Sequence, residues 1–186
     1  MTELQELVRR AMAGEHEAFT ALVRPEIERL YGLAGLLLRD PSRAEDAVQE
    51  ALLRAWRDLP SLRHPERFGA WLRRLVVNAA HDEGRRLGRR RAEVELAPHH
   101  DRGTADELGV LFDRDEMTQA FRHLKAEERT VIALRYYLDL ATAEAAATLG
   151  IREVTYRSKL HRAIRRLGAA LAADARATPR PEGQST

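Results

Sequence analysis

Apolar residues recur every third or fourth position along most of this chain, and alternating β-branched runs are scarce, so the pattern predicts helices throughout and an all-α fold. In "PSRAEDAVQEALLRAWRDLP", Val48, Leu52, Ala55, Trp56 and Leu59 share one side of a helix, which leaves Asp46, Gln49, Glu50, Arg54 and Arg57 facing outward. Ser42 and Glu45 have the S-x-x-E spacing of a capping box and are expected to start that helix. "HPERFGAWLRRLVVNAAHDEGRR" gives another apolar stripe, Phe68, Trp71, Leu72, Leu75, Val76 and Ala79, with Pro65 in a first turn. Trp56 and Trp71 both lie on stripes and read as core residues. Residues 3 to 38 supply one or two further helices, with Pro25 either in a first turn or at a kink. Together these segments predict a helical domain over residues 1–86.

Periodicity fails from Leu87, where Gly, Pro, a basic start and an acidic continuation over residues 87–111 describe a flexible linker. A second small helical domain is expected over residues 112–171, from "FDRDEMTQAFRHLKAEERTVIALRYYL" through "TAEAAATLG" to "GIREVTYRSKLHRAIRRL". Residues 172–186 are polar and Pro-bearing and are expected to form a disordered tail. The short helix, the turn at Gly150 and the longer basic helix have the order of a helix-turn-helix, whose second helix enters a DNA major groove. Ala145 and Ala146 let the two helices cross closely. At about 100° per residue, Tyr156, Leu160, Ala163, Ile164 and Leu167 form the buried arc. Val154, Ser158, His161, Arg162 and Arg165 lie opposite, with Thr155, Arg157 and Arg166 on the flanks. Arginine reads guanine edges, whereas Ser, Thr and Lys more often hold phosphates. Val154 either meets a thymine methyl or is simply tolerated outside. Tyr156 reads as a packing residue with its hydroxyl at the rim, in preference to one that stacks on a base.

Composition narrows the picture mainly by exclusion. The 44% hydrophobic content of 186 residues supports a real core, and a net charge of only +2 means that any nucleic-acid surface must come from where charges lie. Cysteine is absent, which excludes disulfides, thiolate metal sites and cysteine nucleophiles. No run approaches the ~18 apolar residues of a membrane span, and the N-terminus lacks a signal-peptide core, so a soluble, cytoplasmic protein is expected. "AHDEG" (His81, Asp82, Glu83) and "PHHD" (His99, His100, Asp101) are the best candidates for acid/base or metal chemistry. Adjacent helix positions point apart in the first group, and the second falls in the linker, so no enzyme activity, metal or cofactor is expected.

"AEDAVQEALLRAWRDL", "FGAWLRRLVVNAAHDEGRR", "EERTVIALRYYLDL", "AAATLGI" and "TYRSKLHRAIRRL" in this order resemble the extracytoplasmic-function (ECF) group of bacterial RNA polymerase sigma factors, over about residues 15 to 168. The resemblance implies a promoter-specificity subunit that binds core polymerase and directs promoter recognition and melting. It implies that Asp46, Gln49 and Glu50, with Arg54 beside them, meet the β′ clamp, and that the β subunit is a further contact. Asn78 would read a base flipped from the minus-ten element, with Arg73, Arg74, Arg85, Arg86 and the run Arg89 to Arg91 on nearby phosphates. Thr155, Arg157, Ser158, His161, Arg162 and Arg165 would contact the minus-thirty-five element. An anti-sigma factor is the further partner implied. A stand-alone helix-turn-helix regulator, independent of core polymerase, is the alternative.

The chain also departs from the family pattern. Leu124-Lys125 replaces a usual Leu-Pro, which predicts a more continuous helix there. Ala141 to Ala145 replace a usual Ser-Tyr-Glu-Glu-Ile, shifting a capping hydroxyl and shrinking a core residue. Tyr156 stands where valine is common and is expected to refill the volume Ala145 vacates. Val154 stands where glycine is frequent, which leaves the minus-thirty-five preference open.

Overall fold

A computed structural model describes residues 2–94 and 120–177, and among these there is no β-strand. The first set of helices comprises α1 (Glu3–Met12), α2 (His16–Val23), α3 (Ile27–Leu38), α4 (Pro41–Asp58) and α5 (Phe68–Val94). The second comprises α6 (Ala126–Ile132), α7 (Thr142–Leu149) and α8 (Glu153–Ala177). Residues 3 to 38 thus hold three helices, and Pro25 falls in the turn between α2 and α3, where its missing N–H is harmless.

Helix boundaries follow the local chemistry of the ends, and three of them correct the expected ones. The start of α4 is capped by Asp40, whose Oδ1 accepts from the Arg43 N–H at 3.2 Å, with Pro41 in the first turn; the Ser42–Glu45 box is not used. A carboxylate cap followed by proline starts the helix before Ser42 can. The turn at Leu124-Lys125 persists without its proline: the Glu128 carboxylate accepts from the Lys125 N–H at 2.8 Å, and Arg129 Nη1 donates to the Leu124 carbonyl at 2.6 Å. Side chains of α6 satisfy the backbone groups that a helix break exposes, so the chain turns there without help from a ring. Third, α5 does not end at Arg86 but continues to Val94, and α8 runs through Ala172 to Ala177. The remaining linker and tail positions, with His99, His100 and Asp101, lie outside the described residues.

The α7–α8 turn is a glycine necessity. Gly150 has φ +65°, its N–H returns to Ala146 and Ala147, and the Ile151 N–H bonds the Ala146 carbonyl at 3.0 Å. Between α6 and α7 the helix widens into a π turn over Ala133–Tyr137, closed by the Leu138 N–H on the Ala133 carbonyl at 3.0 Å.

The two sets share one buried apolar cluster, extending from Val8 in α1 to Ala163 in α8. Of the expected stripe of α5, Phe68, Leu72, Val76 and Ala79 are buried and Trp71 and Leu75 partly so, but Val77 and Ala80 are buried as well. Val77 lies one turn from Arg74 and one from His81, both of which touch the second set, so α5 carries a second inward stripe. Trp56 and Trp71 are partly buried; Trp56 packs edge-on to Phe19, with ring centroids 5.2 Å apart, and stacks on His16.

Candidate nucleic-acid interface

Helices α4, α5 and α8 carry the predicted site residues on three distinct surfaces. On α4, Asp46, Gln49 and Glu50 are exposed one above another. Arg54 is half-buried and ties this face to α5: its Nε donates to Glu50 at 2.7 Å and its Nη1 to Asp82 at 3.4 Å. Leu53 is missing from the sequence-derived site, yet it is 67% exposed beside Gln49 and Glu50. Its i+3 and i+4 spacing from them was the available signal, masked by the general assumption that leucine belongs to a core.

The arginines of α5 separate. Asn78 is exposed, but Arg73 retains only 14% of its side-chain surface, facing Glu26 at 3.6 Å, and its buried Nε lacks a hydrogen-bond partner. Arg74 lies against the helix-turn-helix turn: a Cβ on Gly150 would fall 2.9 Å from its Nη2. Arg85 pairs with Asp82 and Arg86 with Glu83, at 3.7 Å in the second case, and both stay exposed. Arg89 to Arg91 lie on helical backbone in the last turns of α5.

His81, Asp82 and Glu83 form no site. Asp82 meets Arg54 and Arg85, and Glu83 meets Arg43 and Arg86. His81 Nε2 sits 2.9 Å from the Thr130 hydroxyl, which itself donates to the Ala126 carbonyl at 2.8 Å. The hydroxyl proton is therefore engaged, and His81 must donate through Nε2–H. Burial, with the Arg85 charge adding to it, holds the His81 imidazole below its usual pKa. Among the described residues no three His, Asp or Glu side chains converge as a metal site would require.

On α8, Arg157, Ser158, His161, Arg162 and Arg165 are exposed together, Thr155 is half-buried, and Val154 is 63% exposed. Arg157 reaches back to Glu153 at 3.1 Å and Arg162 to its own helix at the Ser158 carbonyl. Lys159 and Arg166 turn the other way, to Glu127 and Glu128 of α6 at 2.8 and 3.4 Å, so they brace the helix against its neighbour. Tyr156, Leu160, Ala163 and Leu167 do face inward. Ile164, at the margin of the predicted arc, is 40% exposed, because the neighbouring helices cover only the arc's centre. Tyr156 is wholly buried, and its hydroxyl does not reach the rim: it donates to the Val131 carbonyl at 2.7 Å. Burial pushes the phenol up to about 12, so it remains a donor throughout the physiological range.

The chain is an all-helical pair with an acidic outer face on α4 and a basic outer face on α8. Residues 22–90 match the Sigma-70 region 2 family and residues 114–167 the Sigma-70, region 4 family. Over 167 residues the chain is 38% identical to the ECF RNA polymerase sigma factor SigL of Mycobacterium tuberculosis, covering 84% of this chain and 90% of that one. It is 32% identical over 172 residues to the RNA polymerase sigma-E factor of Streptomyces coelicolor, covering 91% and 96%. Among solved structures, CnrH in complex with the cytosolic domain of CnrY is similar with a TM-score of 0.70 at 27% identity, over 91% of this chain and 97% of that one. The sigma factor RpoE in complex with the anti-sigma factor NepR from Bartonella quintana is similar with a TM-score of 0.66 at 26% identity, over 84% and 98%.

Proposed function

The chain belongs to the extracytoplasmic-function group of RNA polymerase sigma factors, and from that premise we propose how its surfaces divide the work. Asp46, Gln49 and Glu50 on α4, with Arg54 holding Glu50 in place, meet the basic clamp of β′. Leu53 adds an apolar contact at the centre of that face, where a desolvated side chain contributes most. Asn78 on α5 reads a flipped minus-ten base with its amide donor and acceptor, and Arg85 and Arg86 hold phosphates of the opened strand. On α8, Arg157, His161, Arg162 and Arg165 enter the minus-thirty-five major groove, with Ser158 and Thr155 at the backbone.

The observation that carries this division is the joint exposure of five polar and basic α8 side chains directly after the glycine turn, while Lys159 and Arg166 of the same helix are tied to α6. The chain's own side chains supply binding and positioning and no bond chemistry. The protein acts in the cytoplasm with core polymerase; among the described residues no helix is long and apolar enough to cross a membrane. An anti-sigma factor is a further partner, by analogy with the RpoE–NepR complex. In vitro transcription with purified core polymerase tests the division. Asn78→Ala should abolish strand opening, read by permanganate reactivity, while leaving core binding unchanged. Arg162→Ala should weaken minus-thirty-five binding by about 1–3 kcal/mol. Opening by Asn78→Ala at the wild-type rate would refute the assignment on α5.

A further inference from the structure

Val154 occupies the second position of α8 and is 63% exposed, yet no role on the DNA-facing side of that helix has been given to it. Arg157 and Ser158 follow one turn later and His161 a turn beyond them, all exposed. Steps of three, four and seven residues put these four side chains in one line along the helix, with the apolar one at its head. Nothing in the fold asks for valine at that place. It lies outside the shared apolar cluster, and a β-branched residue is a weaker helix former than alanine, so neither packing nor propensity accounts for it.

The surroundings of Val154 suit a base edge better than a phosphate. Its side chain has no donor, and Glu153 beside it adds a negative charge and accepts from the Arg157 guanidinium at 3.1 Å. An acid at this corner of the helix repels phosphate oxygens. The edges of the bases, in contrast, show one apolar group in the major groove, the 5-methyl of thymine, and the early residues of a groove-reading helix are those that reach base edges. The two γ-methyls of a helical valine are held in one strongly preferred rotamer, so they present a rigid apolar surface with little freedom to lose on contact.

We infer that Val154 is a specificity-determining residue, which packs its γ-methyls on the 5-methyl group of a thymine in the minus-thirty-five element and so selects the T·A pair at that position. The thymine lies within about two base pairs of the edges met by Arg157 and Ser158, because side chains one turn apart are about 5–6 Å from each other and base pairs rise by about 3.4 Å. The inference rests on the assignment of α8 to the minus-thirty-five element and adds to it one base and the atom by which that base is read.

Deoxyuridine tests it, since it keeps every hydrogen-bonding group of thymine and lacks only the methyl. Selection from a randomised minus-thirty-five element by the full chain bound to core polymerase gives the preferred duplex, and each thymine in it is then replaced in turn. One replacement should weaken binding by the holoenzyme about 3- to 5-fold, the loss of one buried methyl group. Val154→Ala, at an exposed site where alanine favours the helix, should bind the thymine and deoxyuridine duplexes equally. Arg162→Ala should weaken binding to both and leave their ratio as in wild type. An enriched element that holds no deoxyuridine-sensitive thymine would overturn the inference, as would a deoxyuridine penalty that survives in Val154→Ala; in either case weakening by Arg162→Ala would leave the α8 assignment standing. Selection that enriches no minus-thirty-five sequence, with core binding intact, would bring down that assignment and the inference with it.

Discussion

At the scale of single residues, Tyr156 shows what a helical wheel conveys and what it omits. Its place at the centre of the buried arc follows from spacing alone, as does the outward set from Arg157 to Arg165. The destination of its hydroxyl does not, because the acceptor is the main-chain carbonyl of Val131, which has no signature in the sequence. Tyr156→Val removes both ring volume and that bond and should destabilise the chain by about 3 kcal/mol. Ala145→Ile, which adds volume at a fully buried site, should cost less, about 1–2 kcal/mol. Urea denaturation of the two variants giving the opposite order would remove Tyr156 from its central role. His81 makes a second residue-scale prediction. Its folded pKa lies below the unfolded value of about 6.5, so the unfolded chain takes up the proton first as pH falls. The stability contributed by neutral His81 is therefore complete above pH about 6.5 and declines as pH drops below it. His81→Gln, which keeps an N–H donor for Thr130, should flatten that part of the pH–stability curve; an unchanged slope would assign it to other groups.

At the scale of elements, helix ends and second faces are where the sequence is hardest to read. The capping box at Ser42 was a genuine pattern outcompeted by a better cap at Asp40. The break at Lys125 needs no proline because Glu128 and Arg129 supply its hydrogen bonds from one turn away. The second inward stripe of α5 is hard to read because Val77 is followed one turn later by the half-buried His81, a polar type that hydropathy assigns to solvent, while Arg74 one turn before it does stay exposed. The Gly150 turn, by contrast, was legible, and it now has two reasons to be glycine: a left-handed backbone and the Arg74 guanidinium beneath it. Gly150→Ala should lower stability by about 1 kcal/mol, the usual cost of a strained left-handed site, with a small further cost as the exposed Arg74 guanidinium swings aside. A Gly150→Ala/Arg74→Ala pair should recover part of the loss, measured by thermal melting; strict additivity would show that the two residues do not meet.

For the whole molecule, sequence reasoning gives two small helical domains on a tether, and it leaves unread that the described helices of the two sets share one buried apolar cluster. Arg29, Arg39 and Arg129 join the sets through bonds to main-chain carbonyls, and the notch for the Tyr137 ring is an absence of side chain at Gly32, so neither leaves a complementary pair of residues to recognise; His81 and Thr130, which do pair side chain to side chain across the sets, are both common surface types in sequence. A shared core makes unfolding cooperative: calorimetry on the wild-type chain should give one transition, and Gly32→Leu should split it into two. Chain order adds a consequence in time. The α3–α5 face of the first set is complete once residue 94 has emerged from the ribosome, but its cover from the second set, up to Gly150, is made afterwards. At ordinary translation rates of about 5–20 residues per second, the nascent chain presents that uncovered face for roughly 3 to 11 s. Each newly made molecule thus begins life open, and a partner that acts on the ribosome meets a surface that the finished protein conceals.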